Sequence, residues 1–397
     1  MKRLRMATLA MVVLACVSAA SAQQTARVRD VHLKSEYFSH DRQVLIYTPA
    51  GYDEFTETSY DVAYVFDAQT RSNFSLAHSL LNYVDEEETS KKYIVVGVCS
   101  PYITESDYAR NNDYLPMPLH EVGKGLFAHS YYGGSADLKR FLSRELMPYI
   151  DGHYRTSGRT IGIGHSLSAS FVLDAMLTDE LFDDYIALSA NYGYDSLRLA
   201  TDIESHSFMS RKAPRFIFVS MGNEPETWKR ETWTAGWERA KAFFTEQTHF
   251  PENTIVSVKQ FPDYDHHQVF LYGLIEATRE YRRFSSSVLV AYTGEQTYPV
   301  HIELHGRDLK DEVYITGNQA ALGNWDPRQV KMKILNDSTC AIDLPLHLPA
   351  LFKITRGSWD TQAVISNADD GNLIISRPEP HSHIYKLDEE CQWADRE

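Results

Sequence analysis

Ile161-Gly162-Ile163-Gly164-His165-Ser166-Leu167-Ser168-Ala169-Ser170 is the stretch from which the rest of the chain can be read. An apolar, β-branched run leads into it and a segment of helical period leaves it, so the spacing predicts a strand, a sharp turn and a helix. Such a turn forces its Ser into a strained, exposed position, and small residues two before and two after relieve the clash. Gly164 and Ser168 fill those positions, where the usual pattern has Gly at both. Ser166 is the candidate nucleophile; the bland alternative is a Ser N-cap on a buried helix.

A serine hydroxyl attacks only with help from a base, and the base needs a carboxylate to orient it. In α/β hydrolases the chain order is nucleophile, acid, histidine. Downstream of Ser166, Phe261-Pro262-Asp263-Tyr264-Asp265-His266-His267-Gln268 follows a predicted strand and precedes the last predicted helix, the place for the histidine. His266 and His267 are adjacent, and only one can point into a site. The acid is expected after the preceding strand, in Met221-Gly222-Asn223-Glu224-Pro225-Glu226, with Glu224 the choice and Glu226 the alternative.

Around these residues, short apolar runs at Val44–Thr48, Val62–Phe66, Tyr93–Cys99, Thr160–Gly164, Tyr185–Leu188, Phe216–Ser220 and Thr254–Gln260 alternate with helix-period segments. The helices are expected after Ser135, at Leu167–Leu177, from about Thr227 to Phe244 and at Gln268–Phe284. Strand and helix in alternation call for a mostly parallel sheet with helices on both faces, an open α/β architecture. After Phe284 the pattern changes. Ser285-Ser286-Ser287 reads as a short linker, followed by predicted strands at Val288–Tyr292, Tyr298–Leu304, Glu312–Thr316, Val330–Leu335, Thr339–Leu344 and Leu351–Thr355, which indicate an all-β sandwich.

The chain opens with Met1-Lys2-Arg3-Leu4-Arg5, an apolar run to Val17 and Ala20-Ser21-Ala22, which reads as a removable signal peptide over residues 1–22 and export to the periplasm or beyond. Lipoprotein processing at Cys16 is the minor alternative. The chain then divides into a catalytic domain, 23–284, and a β-sandwich domain, 285–397. Net charge of -15 argues against nucleic acid and anionic membrane surfaces as partners. After cleavage Cys99, Cys340 and Cys391 remain, so at most one disulfide can form, and Cys340 with Cys391 is the expected pair. His78, His120, His129 and His153 have no ligand-like spacing with Asp, Glu or Cys, so no metal is expected, and the proposed chemistry needs no cofactor. Arg110 has two readings: a ligand for a substrate carboxylate or phenolate, or a structural partner of Asp113, the favoured one.

Taken together, Val44-Leu45-Ile46-Tyr47-Thr48-Pro49, Tyr64-Val65-Phe66-Asp67-Ala68-Gln69, Arg110-Asn111-Asn112-Asp113-Tyr114-Leu115-Pro116, the Gly-His-Ser-Leu turn and Asp265-His266 followed by Val269 resemble the putative-esterase family of α/β hydrolases, which includes enterochelin-type siderophore esterases and mycolyltransferases. The resemblance covers about residues 30–284. Family members usually have Asp-Gly at Asp67-Ala68 and Gly-Gly at Ser168-Ala169. It implies a Ser166, His266, Glu224 triad, with His266 favoured by the Asp-His-x-x-Val match. It also implies an oxyanion hole from the backbone N–H of Leu167 and one from Ala68 or Gln69.

In the C-terminal region, Val313-Tyr314-Ile315-Thr316-Gly317-Asn318, Ala321-Leu322-Gly323-Asn324-Trp325-Asp326-Pro327 and the segment Phe352 to Asp360 look like a family-20 starch-binding module. That likeness implies a glycan site at Trp325, Lys353 and Trp359, although Trp325 reads equally as sandwich core. The expected activity is hydrolysis of a siderophore, carbohydrate-linked or lipidic ester through an acyl-enzyme. Acyl transfer to a sugar or lipid hydroxyl, and glycan binding without catalysis, are the alternatives.

Overall fold

A computed structural model describes residues 25–83, 91–101, 109–126, 133–224 and 230–395. The signal-peptide reading, Cys16, His129 and Glu226 fall outside them. Strands β1 (Arg27–Leu33), β2 (Arg42–Thr48), β3 (Tyr60–Phe66), β4 (Tyr93–Val98), β5 (Thr156–His165), β6 (Asp184–Leu188), β7 (Arg215–Asn223) and β8 (Thr254–Asp265) form one sheet in the order β1-β2-β4-β3-β5-β6-β7-β8. β1 and β2 pair antiparallel, as do β2 and β4, and every later pairing is parallel. Both faces are apolar because the central strands are buried on both sides. Along β3, Val62, Tyr64 and Phe66 join one core while Ala63 and Val65 join the other, as the two-residue period requires.

Nine helices are described: α1 (Arg71–Leu81), α2 (Ala109–Tyr114), α3 (Glu121–Leu126), α4 (Ser135–Phe141), α5 (Met147–His153), α6 (Leu167–Thr178), α7 (Tyr194–Ser205), α8 (Arg230–Thr245) and α9 (Gln268–Phe284). The first core takes Leu138 and Phe141 of α4, Phe171 and Met176 of α6 and Trp237 of α8; the second takes Phe74 and Leu81 of α1 with Val269, Leu274 and Tyr281 of α9. Helices therefore cover both faces, and the parallel strands all end at one edge. Asp67, Ser166, Glu224 and His266 each directly follow the last residue of a strand, namely β3, β5, β7 and β8. In open α/β sheets that edge is where ligands bind.

The C-terminal region is a sandwich of two four-stranded sheets. One holds β10 (Tyr314–Gly317), β11 (Val330–Lys331), β14 (Ala350–Thr355) and β15 (Leu373–Ile375); the other holds β9 (Thr297–His305), β12 (Lys333–Asn336), β13 (Thr339–His347) and β16 (Ser382–Lys386). Ile302, Ile315, Phe352 and Tyr385 meet in their shared core. The single strand expected at Val330–Leu335 is split: Met332 turns inward and is buried, sending β11 to one sheet and β12 to the other.

Three expectations are corrected here. Residues 285–287 are no flexible linker, and no strand runs from Val288 to Tyr292. α9 continues into a π-helical turn, Ser285–Leu289, in which Ser285 is buried and Val288 and Leu289 pack against the core containing Tyr281 and Phe284. The Ser286 hydroxyl donates to Arg283 O at 3.2 Å, so the serines satisfy the helix end instead of breaking it. Cys340 and Cys391 are both free thiols. Cys340 sits in the sandwich core, where burial pushes its thiol up to about 12.

The sandwich is docked on the α/β domain. Asn367 O accepts from Glu57 N–H at 3.0 Å, Thr58 Oγ1 accepts from Asp369 N–H at 2.8 Å, and Lys92 pairs with Asp369 and Asp151 with Arg377, each at 2.8 Å. A cavity of about 1030 Å³ opens at this seam, lined among others by Tyr60, Lys91, Ser157, Arg282, Val290 and Leu351. It lies at the amino ends of β3, β4 and β5, away from the edge that carries Ser166.

Candidate active site

Ser166 sits between β5 and α6 with φ 61° and ψ −122°, a left-handed backbone that a non-glycine residue adopts only when its surroundings impose it. Its N–H donates to Leu188 O at 2.9 Å, tying the turn to the end of β6. Gly164 makes the turn possible: a Cβ there would lie 2.3 Å from the backbone O of Ser168. Ser168, the departure from the glycine pattern, is fully buried and bonded. Its Oγ accepts from His165 N–H at 2.9 Å and lies 2.7 Å from Asp67 Oδ2.

The register of the last two strands delivers the other two residues. The β7–β8 ladder shifts after Gly222 so that Asn223 pairs with Asp265, and the next residue on each strand is Glu224 and His266. The shift is accommodated at Gly222, where a Cβ would come within 2.6 Å of Val269 Cγ2. Glu224 Oε2 accepts the Nδ1–H of His266 at 2.6 Å, in surroundings that leave the two residues 7% and 2% exposed. That bond fixes the tautomer with its proton on Nδ1 and the lone pair on Nε2. His267 is exposed, and Asp265 Oδ1 accepts its backbone N–H and that of Gln268, both at 2.9 Å, capping α9. The Asp-His-x-x-Val match thus has a structural content: Asp265 caps, His266 turns inward and Val269 is buried.

His165 is a residue that sequence reasoning passed over. Its Nε2–H donates to the backbone O of His266 at 2.6 Å, and the two rings lie 4.7 Å apart. Burial, with the neighbouring His266 charge, brings its pKa down to about 3, so it is neutral at ordinary pH. Its adjacency to Ser166 was the available signal. Trp233 of α8, also unremarked in the sequence, sets its ring edge-on to His266 at 5.4 Å.

Arg110 holds a different partner from the one expected. Its Nε and Nη2 grip Asp67 Oδ1 and Oδ2 at 2.6 and 2.8 Å, and Nη2 also donates to His165 O at 3.2 Å. Asp113 is taken by Arg42 in a fully buried pair at 2.7 Å, joined by the Ser100 hydroxyl. Burial pushes the Asp67 carboxyl upward, but the Arg110 charge and the bonds from Arg110, Ser168 and Gln69 outweigh it and hold the group below its ordinary value. Of the two candidate donors after β3, Ala68 N–H is already given to Val98 O at 3.1 Å, which leaves Gln69. The Ala68 methyl fits because Gly97 opposite has no side chain: a Cβ at 97 would lie 2.7 Å from it.

In the sandwich, Trp325 and Trp359 are brought together with ring centroids 6.4 Å apart, and Trp359 is 41% exposed. Trp325 is not among the core residues. Lys353 is half-buried, and burial lowers its pKa against the opposing pull of Asp370, which lines the seam cavity.

A strand, a left-handed Ser and a helix at the carboxyl edge of this sheet, with a buried His–Glu pair beside them, define an α/β hydrolase. The sequence matches the putative esterase family over residues 35–259, and the chain belongs to that family of carboxylic ester hydrolases. Among solved structures it is similar to an IroE-like serine hydrolase from Shewanella oneidensis, at 21% identity and TM-score 0.53, over 65% of this chain and 80% of that one. It is also similar to the siderophore hydrolase EstA from Aspergillus nidulans, at 19% identity and TM-score 0.52, over 68% of this chain and 97% of that one. The siderophore hydrolase EstB from the same organism aligns at 18% identity and TM-score 0.52, over 64% of this chain and 94% of that one. A search of curated proteins gives no match.

Proposed function

We propose that this is an exported serine esterase in which Ser166, His266 and Glu224 form the catalytic triad and the substrate is a siderophore-type or carbohydrate-linked ester. The observation that carries the reading is the buried 2.6 Å bond between His266 Nδ1 and Glu224 Oε2. It leaves Nε2 as the base, and Ser166 stands at the strand-to-helix turn where such a base is needed. Ser166 Oγ attacks the ester carbonyl as its proton passes to His266 Nε2. The carbonyl π pair becomes an oxyanion held by the N–H groups of Leu167 and Gln69. Collapse expels the alcohol, which takes the proton from His266, and water then releases the acid by the same steps. Glu224 orients the ring and stabilises the imidazolium.

Siderophore esters are favoured because two of the similar folds, EstA and EstB, are siderophore hydrolases. Carbohydrate-linked esters are supported by the paired Trp325 and Trp359, whose ring faces suit the C–H faces of sugars. The charged start, short apolar run and Ala20-Ser21-Ala22 support export.

The decisive experiment combines fluorophosphonate labelling with a hydrolysis screen over siderophore, carbohydrate-linked and simple lipidic esters. Labelling is expected on Ser166 and is lost in Ser166→Ala, together with at least about a thousandfold of turnover. A folded Ser166→Ala protein that keeps a tenth of the activity defeats the assignment; hydrolysis of lipidic esters alone defeats the substrate reading.

A further inference from the structure

We propose that Asp67 is a positioning residue that sets the Gln69 N–H for the developing oxyanion, and that Arg110 and Ser168 clamp it there. This rests on the reading of Ser166 as nucleophile.

Asp67 follows β3 with φ 61°, the left-handed conformation that Ser166 also adopts. For a non-glycine residue such a conformation costs of order 1 kcal/mol or more and persists only where contacts over-determine it. Here they do. The Tyr114 hydroxyl accepts Asp67 N–H at 3.0 Å, Arg110 takes both carboxylate oxygens, Ser168 Oγ lies 2.7 Å from Oδ2, and Gln69 Nε2 donates to Oδ1 at 3.0 Å. The Ser168 hydroxyl has one proton and two acceptors in reach, Asp67 Oδ2 and His165 O at 2.8 Å. The charged oxygen is the stronger acceptor.

The clamp joins two backbone segments that must be in register for an oxyanion hole to exist. On the nucleophile side, Arg110 holds His165 O, one residue before Ser166, and Ser168 lies two residues after it. On the opposite side, the loop after β3 is pinned at its base by Ala68 N–H on Val98 O, and the Gln69 side chain is fixed by Ser100 N–H at 3.0 Å. One carboxylate therefore ties the turn that carries the nucleophile to the loop that carries the second donor. The oxyanion exists only in the transition state and intermediate, so a loosened clamp lowers kcat and leaves ground-state binding almost unchanged.

The test uses the full-length protein and the variants Ser168→Ala, Ser168→Gly and Asp67→Asn. Three quantities are measured: kcat and KM on p-nitrophenyl butyrate, and the inhibition constant of a trifluoromethyl ketone, to which Ser166 adds to form an oxyanion. Ser168→Ala and Ser168→Gly are expected to lower kcat by about 10- to 100-fold with KM within about threefold, and Asp67→Asn by about 100- to 1000-fold. The ketone's inhibition constant is expected to rise by the same factors. Unchanged kcat and ketone affinity in the Ser168 variants, or a rise in KM alone, overturns the proposal. So does a loss of kcat matched by loss of folded protein on melting, which marks a purely structural role. Failure of the wild type to label with fluorophosphonate is a separate result: it removes the nucleophile, and this proposal falls with it.

Discussion

His266 donates its Nδ1–H to Glu224 Oε2 at 2.6 Å from the residue next to a cross-strand pair, Asn223 with Asp265. The proposed acid and base are thus held by strand register and not by loop chance. A buried carboxylate that loses its partner is left with its full desolvation cost.

His266→Ala is therefore expected to lower ester turnover by at least about a thousandfold, whereas His267→Ala, at an exposed position, changes it less than about threefold. Glu224→Gln costs about 100- to 10,000-fold because the wrong tautomer is favoured, and more than Glu226→Gln. Steady-state kinetics on folded variants decides; equal losses at 266 and 267 would reassign the base.

Gly164→Ala places a methyl carbon 2.3 Å from the Ser168 carbonyl oxygen, a backbone atom that cannot rotate away. A loss of about 3 kcal/mol or more in stability follows, with loss of fluorophosphonate labelling as the turn opens. Urea denaturation checks the first and gel fluorescence the second. Wild-type behaviour in both shows that the turn is not as tight as the distance says.

The neutral His165 makes stability depend on pH in a defined window. Its folded pKa is near 3, against about 6.5 in an unfolded chain, so between those values the unfolded state binds a proton that the folded state refuses. Stability falls as pH drops through that window, by up to about 1.4 kcal/mol per unit from this group. His165→Gln keeps a donor for His266 O and does not titrate. Between pH 7 and pH 4.5 it is expected to lose less stability than the wild type, with the other histidines cancelling in the comparison. Parallel denaturation curves would show that His165 charges in the fold.

In the sandwich, changing Trp325 and Trp359 together to Ala is expected to abolish retention on an amylose gel while hydrolysis of a small soluble ester stays within about twofold. Retention that survives the double change removes glycan binding from this face.

Much of this site could be read from the chain because its pieces are local. The apolar run to Gly164, the helix after Ser166 and the Asp265-His266 step before α9 each declare themselves within about ten residues. What could not be read depends on contacts far along the chain. Arg110 meets Asp67, 43 positions away, because the close candidate Asp113 is held by Arg42, which lies 71 positions from it. β1 escaped notice because Arg27, Arg29, Asp30 and His32 make it mostly polar and exposed at the sheet edge, and only Val31 and Leu33 at its end alternate toward the core. Ser285-Ser286-Ser287 has the composition of a linker but is helical, because Val288 and Leu289 just beyond it have a core to enter. Free Cys340 shows the same limit: a thiol's burial in a sandwich core leaves no trace in its spacing.

α9 starts two residues after His266 and passes without a break into the turn that ends at Leu289; the first strand of the sandwich, β9, opens at Thr297. The 17 residues of α9, roughly 25 Å of helix, are packed into the second core, and the sandwich is docked directly on the sheet domain through Glu57, Thr58, Lys92 and Asp151. A hydrolase on a slack leash would sweep every ester within a sphere around its anchoring point. A hydrolase docked on its sandwich has a fixed standoff and heading. Held to a surface by the sandwich, it would work on esters at one height and in one orientation, and its reach along that surface would depend on how often the sandwich lets go.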